Sequence, residues 1–324
     1  MDLLYLGPAE TGAHVRASLP AHFTVCHAVD EAAVDRAIGT CEAVLDASLK
    51  VRFAAERLAQ ARRLKVFVTV STGSDHVDQA SLEQRGIPLL TLRGQHEVLR
   101  NVTPTAEHAW LLLLACARRL RAAHRDVLEG GWHREDHPGV MLRGKTLGII
   151  GCGRLGQWVA RYGTAFGMRC VGHDPHVRPW PEGIESMELA TLLQTSDFIS
   201  VHVPYSDETR RLLGPREFGQ LKPGAILVNT SRGGVIDERA LLAALTSGRL
   251  AAAGLDVLTG EPDIKTHPIV EYARTHENVL ITPHIGGFSP DALIPLLTYS
   301  CERIARFFQA QDARTALSPS RTAR

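Results

Sequence analysis

The stretch Gly151-Cys152-Gly153-Arg154-Leu155-Gly156 constrains this chain more than any other. An apolar run, Thr146–Ile150, leads straight into it, and a helical pattern leads out. In such a turn the first glycine permits a tight reversal and the second lets the backbone approach a pyrophosphate. The third lets helix and strand pack closely, and the helix N-terminus offers unpaired N–H groups to phosphate oxygens. Asp174 closes the next apolar run, where an acid can accept hydrogen bonds from a ribose hydroxyl and repel a 2′-phosphate. A plain βα turn with a helix-capping aspartate is the structural alternative. Turn and acid together favour a dinucleotide site in a parallel α/β sheet, with NAD in preference to NADP.

The rest of the chain carries the same alternation. Apolar runs at Asp2–Leu6, Phe23–Cys26, Glu42–Asp46, Lys65–Val70 and Pro88–Leu92 are separated by helical patterns, among them Thr11–Leu19, Glu31–Ile38, Val51–Gln60 and Asp78–Gln84. A second series follows at Thr146–Ile150, Arg169–Asp174, Asp197–Val201, Ala225–Thr230, Ala251–Asp256 and Val279–Thr282. Strands alternating with helices in this way imply βαβ units, and 324 residues are enough for about two domains. Between the series, Thr103-Pro104 starts a long helix whose apolar positions Ala106, Ala109, Trp110, Leu113, Leu114, Ala117 and Leu120 share one face. Either a domain connector or an ordinary core helix fits that pattern. A last helix runs from Pro290 to about Gln309, and the polar tail 311–324 is expected to be disordered.

With 36 basic against 35 acidic residues, the chain lacks the basic footprint of a nucleic-acid-binding domain. Its longest apolar run, Ala109–Ala117, is too short for a membrane span, and no secretory leader is visible. Cys26, Cys41, Cys116, Cys152, Cys170 and Cys301 have neither ligand nor disulfide spacing, and read as small buried hydrophobes of a reducing compartment. No metal is expected, and the cytoplasm is.

Two further segments place polar residues and glycines directly after apolar runs: Asn229–Asp237 and Thr282–Gly287. Ligands of open α/β sheets bind beyond the carboxyl ends of the strands. Arg232, Asp256, Glu261 and His284 all fall there. An arginine can clamp a carboxylate bidentately, and a histidine can exchange a proton near neutral pH. A nearby carboxylate favours the imidazolium and fixes its tautomer. Beside a nicotinamide, this set suits hydride transfer to a keto acid. Each residue also has a structural use: Arg232 as a loop cap, Asp256 and Glu261 as turn residues around Gly260, His284 as a satisfied loop histidine.

At this point the chain resembles the D-isomer-specific 2-hydroxyacid dehydrogenase family. The likeness runs from the Ser71–Asp78 loop to the last helix. It is carried by Gly151–Gly156, His202-Val203-Pro204 with Thr209, Asn229–Asp237, Gly254–Val257, Glu261-Pro262 and Thr282–Gly287. The resemblance implies that Arg232 binds the substrate carboxylate and keto oxygen, His284 carries the proton and Glu261 is its carboxylate partner. It gives Gly151, Gly153, Arg154, Leu155 and Gly156 to the pyrophosphate and Asp174 to the adenosine ribose. Pro204, Thr209, Thr230, Ser231, Asp256, Gly286 and Gly287 would line the coenzyme site, and backbone N–H groups of Thr72, Gly73 and Ser74 would hold the substrate carboxylate. It further implies a flavodoxin-like, discontinuous substrate domain, residues 1–100 with 289–310 returning to it. A Rossmann coenzyme domain over 101–288 lies between, and a homodimer forms through the coenzyme domains around a small 2-keto or 2-hydroxy acid.

One region departs from the family pattern. The segment 92–103 is longer than usual and holds Arg93, His96 and Arg100, which raises a second anionic group on the substrate as a reading beside a solvated surface loop or a dimer contact. An NAD(H)-sensing corepressor on the same fold is a rival from another class. Formate oxidation on a related fold is a second, and Glu261 argues against it because that branch resembles this one with glutamine there.

Overall fold

The structure is a computed structural model; it describes residues 1–317, with side chains described through Gln311. The chain divides into two compact units, Met1–Val102 with the segment returning at Ser289, and Thr103–Phe288.

In the first unit the strands are β1 (Asp2–Leu6), β2 (Thr24–Ala28), β3 (Ala43–Asp46), β4 (Val66–Thr69) and β5 (Leu89–Leu90). They form one parallel sheet in the order β2-β1-β3-β4-β5, the flavodoxin-like arrangement. Alternate side chains of a strand point to opposite faces, and β1 is apolar on both. Leu4 and Leu6 pack with Val34, Ile38, Phe53, Leu58 and Phe67, whereas Leu3 and Tyr5 pack with Val15, Leu297, Cys301, Ile304 and Phe308. The second face is therefore closed by the helix Pro290–Leu317.

The second unit holds β6 (Thr146–Ile150), β7 (Arg169–His173), β8 (Glu185–Ser186), β9 (Phe198–Val201), β10 (Ala225–Asn229), β11 (Leu250–Leu255) and β12 (Val279–Ile281). Their order, β12-β11-β10-β9-β6-β7-β8, is the Rossmann order extended by one strand, again all parallel. Strand order reverses between β6 and β9, so the crevice of this sheet opens where the glycine turn leaves β6.

Four expectations are corrected. The final helix continues past Gln309 to Leu317, through a segment with two alanines and a leucine, residue types of high helix propensity. The expected disorder of 311–324 therefore fails for its first part, and 318–324 lie outside the described residues. The helix from Pro104 ends at Ala117, since the Ala117 carbonyl accepts from Val140 N–H and Arg119 turns left-handed at φ 50°. Leu120, expected on its apolar face, begins the next helix (Leu120–Leu128) and is 54% exposed. Cys26 is exposed, while the other five thiols are buried. Residues 92–103 are not a plain loop: His96–Leu99 forms one helical turn whose Leu99, with Leu92, packs on Leu296.

Candidate active site

The glycine turn sits at the carboxyl end of β6. Gly151 has φ 94°, and a Cβ there would lie 2.7 Å from the His202 carbonyl carbon. At Gly156 a Cβ would meet the Gly151 carbonyl oxygen at 2.1 Å, so both positions require glycine for backbone to approach backbone. Gly153, N-cap of the helix Arg154–Ala165, faces open space instead: nothing lies within 4 Å of where its Cβ would be. Arg154 and Leu155 form the first turn, and burial pushes the Arg154 guanidinium below its ordinary range.

Asp174 lies just past β7. Its carboxylate accepts from Cys152 N–H at 2.9 Å, His176 N–H at 2.9 Å and Val177 N–H at 3.0 Å, which fixes its orientation beside the glycine turn. At the ends of β9 and β10, two buried polar atoms have no hydrogen-bond partner: His202 Nδ1 and Thr230 Oγ1. Burial pushes His202 down to about 4, so this imidazole is neutral at ordinary pH. An open cradle at a helix N-terminus, a fixed acid and orphaned polar atoms at neighbouring strand ends fit a dinucleotide. Pro204 and Thr209 belong to the loop after β9, where the Thr209 hydroxyl donates to the Pro204 carbonyl and accepts from Ser206 N–H.

The three candidate catalytic residues come from loops after β10, β11 and β12. Asn229 organises the first loop. Its Oδ1 accepts from Ser231 N–H and Oγ–H, and its Nδ2 donates to the Arg232 carbonyl at 3.0 Å. Sequence reasoning assigned Asn229 no role, although a polar residue ending an apolar strand was its visible signal. A Cβ on Gly233 would lie 2.2 Å from the Leu258 carbonyl carbon, so this glycine lets the Arg232 loop abut the loop carrying Glu261. Glu261 Oε1 accepts from His284 Nδ1–H at 2.6 Å, and Oε2 accepts from Leu258 N–H at 3.2 Å. His284 sits at φ 55°, a strained conformation for a residue with a side chain.

Asp256 maintains that strain. Oδ1 accepts from Thr282 Oγ–H and Ile285 N–H, Oδ2 from Gly286 N–H, and the Asp256 carbonyl takes His284 N–H. Burial pushes this carboxyl up, but hydrogen bonds from His108, Thr282 and the two backbone N–H groups outweigh it and leave the group below the usual carboxylate range. The side chain is only 1% exposed, so its oxygens serve the His284 loop rather than open space. A Cβ on Gly286 would meet Asp256 Oδ2 at 2.8 Å, and Gly287 lies beside Thr105. His108, which donates to Thr282 Oγ1 at 2.8 Å, is a partner no motif announced.

In the first unit, Ser74 is buried and its Oγ accepts from Gln79, while Gly73 N–H donates to Ser71 Oγ at 3.1 Å. Thr72 is exposed. Arg100 pairs with Glu97 at 2.9 Å, and Arg93 and His96 are exposed. Among the described residues no cluster of His, Cys, Asp and Glu could hold a metal ion, and no helix is long and apolar enough to cross a membrane.

Comparison with known proteins gives the family. Residues 110–286 match the family described as D-isomer specific 2-hydroxyacid dehydrogenase, NAD binding domain. The chain is 38% identical to D-3-phosphoglycerate dehydrogenase of Archaeoglobus fulgidus over 267 residues, 82% of this chain and 49% of that protein. It therefore spans about half the length of that relative. It is also 38% identical to hydroxypyruvate reductase of Thermotoga maritima over 238 residues, 74% of this chain and 76% of that one. Among solved structures, D-lactate dehydrogenase from Aquifex aeolicus, complexed with NAD and lactic acid, superposes with a TM-score of 0.81 at 26% identity. That match covers 98% of this chain and all of the other.

Proposed function

The chain belongs to the D-isomer-specific 2-hydroxyacid dehydrogenase family, and from that premise we propose that it interconverts a 2-keto acid and a D-2-hydroxy acid with NAD. The observation that carries this reading is the His284–Glu261 pair, 2.6 Å apart and set beyond the carboxyl end of the Rossmann sheet near the Arg232 turn. NAD, when bound, supplies or accepts the hydride. Gly151, Gly153, Arg154, Leu155 and Gly156 would hold its pyrophosphate and Asp174 its adenosine ribose. Pro204, Thr209, Thr230, Ser231, Gly286 and Gly287 would line the remainder.

Glu261 accepts the hydrogen bond of His284 Nδ1–H, which fixes the ring and leaves Nε2 for the reacting oxygen. In reduction Nε2–H gives its proton to the keto oxygen; in oxidation the neutral ring takes it back. Arg232 clamps the substrate carboxylate through paired hydrogen bonds and polarises the keto oxygen. Backbone N–H groups of Thr72, Gly73 and Ser74 are the second carboxylate holders in this proposal, on the strength of the resemblance. Asp256 acts by holding the His284 loop.

The proposal includes a homodimer through the coenzyme unit. Leu128, Trp132 and Met141 of that unit are 73%, 84% and 72% exposed, large apolar side chains of the kind an interface covers. Light scattering at micromolar protein tests this. For the activity, purified protein with NADH is mixed with glyoxylate, hydroxypyruvate, pyruvate, bulkier keto acids and phosphorylated ones. Loss of NADH absorbance with at least one is expected, and no loss with any overturns the reading.

A further inference from the structure

The loop that carries Glu261 leaves β11 after Leu255 and enters the helix Pro268–Thr275, and it contains no regular structure. A free loop of this kind would not hold a carboxylate within 2.6 Å of its histidine. One side chain outside the loop grips it at two points. Glu238, the first residue of the helix Glu238–Thr246, accepts from Thr259 N–H through Oε1 at 2.8 Å. Its other oxygen, Oε2, faces His267 Nε2 at 3.0 Å. Thr259 stands two residues before Glu261, and His267 is the last residue before the helix.

The protonation of His267 follows from its second contact. As N-cap of the helix, its Nδ1 accepts from Ile269 N–H at 3.3 Å, so the ring proton sits on Nε2 and is donated to Glu238. The imidazole thus caps one helix and closes the loop at the same time. Both partners are mostly withdrawn from solvent, with side chains 10% and 18% exposed, so the contact competes little with water.

We propose that Glu238 and His267 are positioning residues for the reaction: together they tie the loop on either side of Glu261, at Thr259 and at its end, and so hold Glu261 against His284. This rests on the dehydrogenase reading above. Neither residue touches the reacting groups, and their effect passes through Glu261. Displacing a catalytic group by about an ångström costs up to about a hundredfold in rate without weakening binding elsewhere. Loss of the tie therefore lowers kcat and leaves the affinity for NADH unchanged.

Three substitutions separate the tie from helix capping. His267→Asn keeps a side-chain oxygen to cap Ile269 N–H but is too short to reach Glu238. His267→Gln has the length to donate to Glu238. Glu238→Ala removes the tie from the other side. For His267→Asn and Glu238→Ala we expect kcat for the best keto acid to fall about tenfold or more. The NADH dissociation constant, read by fluorescence quenching, and the substrate KM should hold within about twofold, and the melting temperature of His267→Asn should stay near that of the wild type. His267→Gln should recover most of the rate, and the Glu238→Ala, His267→Asn double variant should be no slower than the worse single one, as for two ends of one contact. Wild-type kcat in both single variants, or additive losses in the double, overturns the tie. A wild type that reduces no 2-keto acid overturns the dehydrogenase reading itself.

Discussion

At the scale of single residues, the proposed site divides into groups assigned to the reaction and groups that hold them. His284→Ala is expected to lower kcat by about 10²–10⁴, the range of a general acid–base contribution, with NADH affinity kept. Glu261→Gln replaces the carboxylate that accepts His284 Nδ1–H at 2.6 Å with a neutral amide, a weaker acceptor, so kcat should fall by less than in His284→Ala while NADH affinity is kept. Steady-state rates and NADH titration check both. Asp174→Ala should narrow the preference for NAD over NADP, read as the ratio of kcat/KM values, because the variant neither repels a 2′-phosphate nor binds the ribose. His202 gives a stability test. Its ring is pushed from 6.5 to about 4 by burial, so the fold holds the neutral form while the unfolded chain takes a proton below 6.5. The contribution of His202 is complete above 6.5 and is lost as pH falls toward 4. The wild-type melting temperature should drop over that interval, and His202→Asn should drop less.

At the scale of elements, what could be read from the chain was local. β6, the glycine turn and the helix after it follow one another in sequence, so their apolar run, glycines and helical period declare the element together. Arg232, Glu261 and His284 stood out as candidates because each lies beyond the end of an apolar strand. The grip on those loops could not be read, because Glu238 meets Thr259 and His267, and His108 meets Thr282, across long stretches of chain and without any motif. The end of the helix at Ala117 was equally hidden, since a distant N–H, that of Val140, decides it. Gly233 shows how such approaches can be tested. A methyl group there lies 2.2 Å and 2.3 Å from backbone atoms of Leu258 and Thr259, so the Arg232 and Glu261 loops must part. Gly233→Ala is expected to cost about 1–3 kcal/mol in stability and to lower kcat/KM more than tenfold. Gly219→Ala, in a helix with nothing within 4 Å, is the control, and its stability should be unchanged or slightly raised. Equal kinetics for the two variants would remove the argument from loop contact.

At the scale of the whole molecule, the two units differ in how the chain closes them. Among the described residues, the apolar clusters of the second unit draw on positions between Ala106 and Ile281, one continuous stretch of chain. The first unit borrows its second face from the far end of the chain. Leu293, Leu297, Cys301, Ile304 and Phe308, all at most 9% exposed, pack against Leu3, Tyr5, Leu45, Val66 and Val68. Burial of a large apolar side chain contributes about 1.5–3 kcal/mol, so these five together contribute on the order of 10 kcal/mol. A domain of this kind is stable by only about 5–15 kcal/mol in total. A chain ending at Phe288 should therefore lose the first unit while the second stays folded. The expected result is a protein that binds NADH with an affinity within a few-fold of wild type, melts at the temperature of the second unit alone and reduces no keto acid. Fluorescence titration with NADH and a thermal melt decide the matter. If the truncated chain lost NADH binding together with its melting transition, the coenzyme unit would depend on the returning helix, and the independence of its core would be wrong.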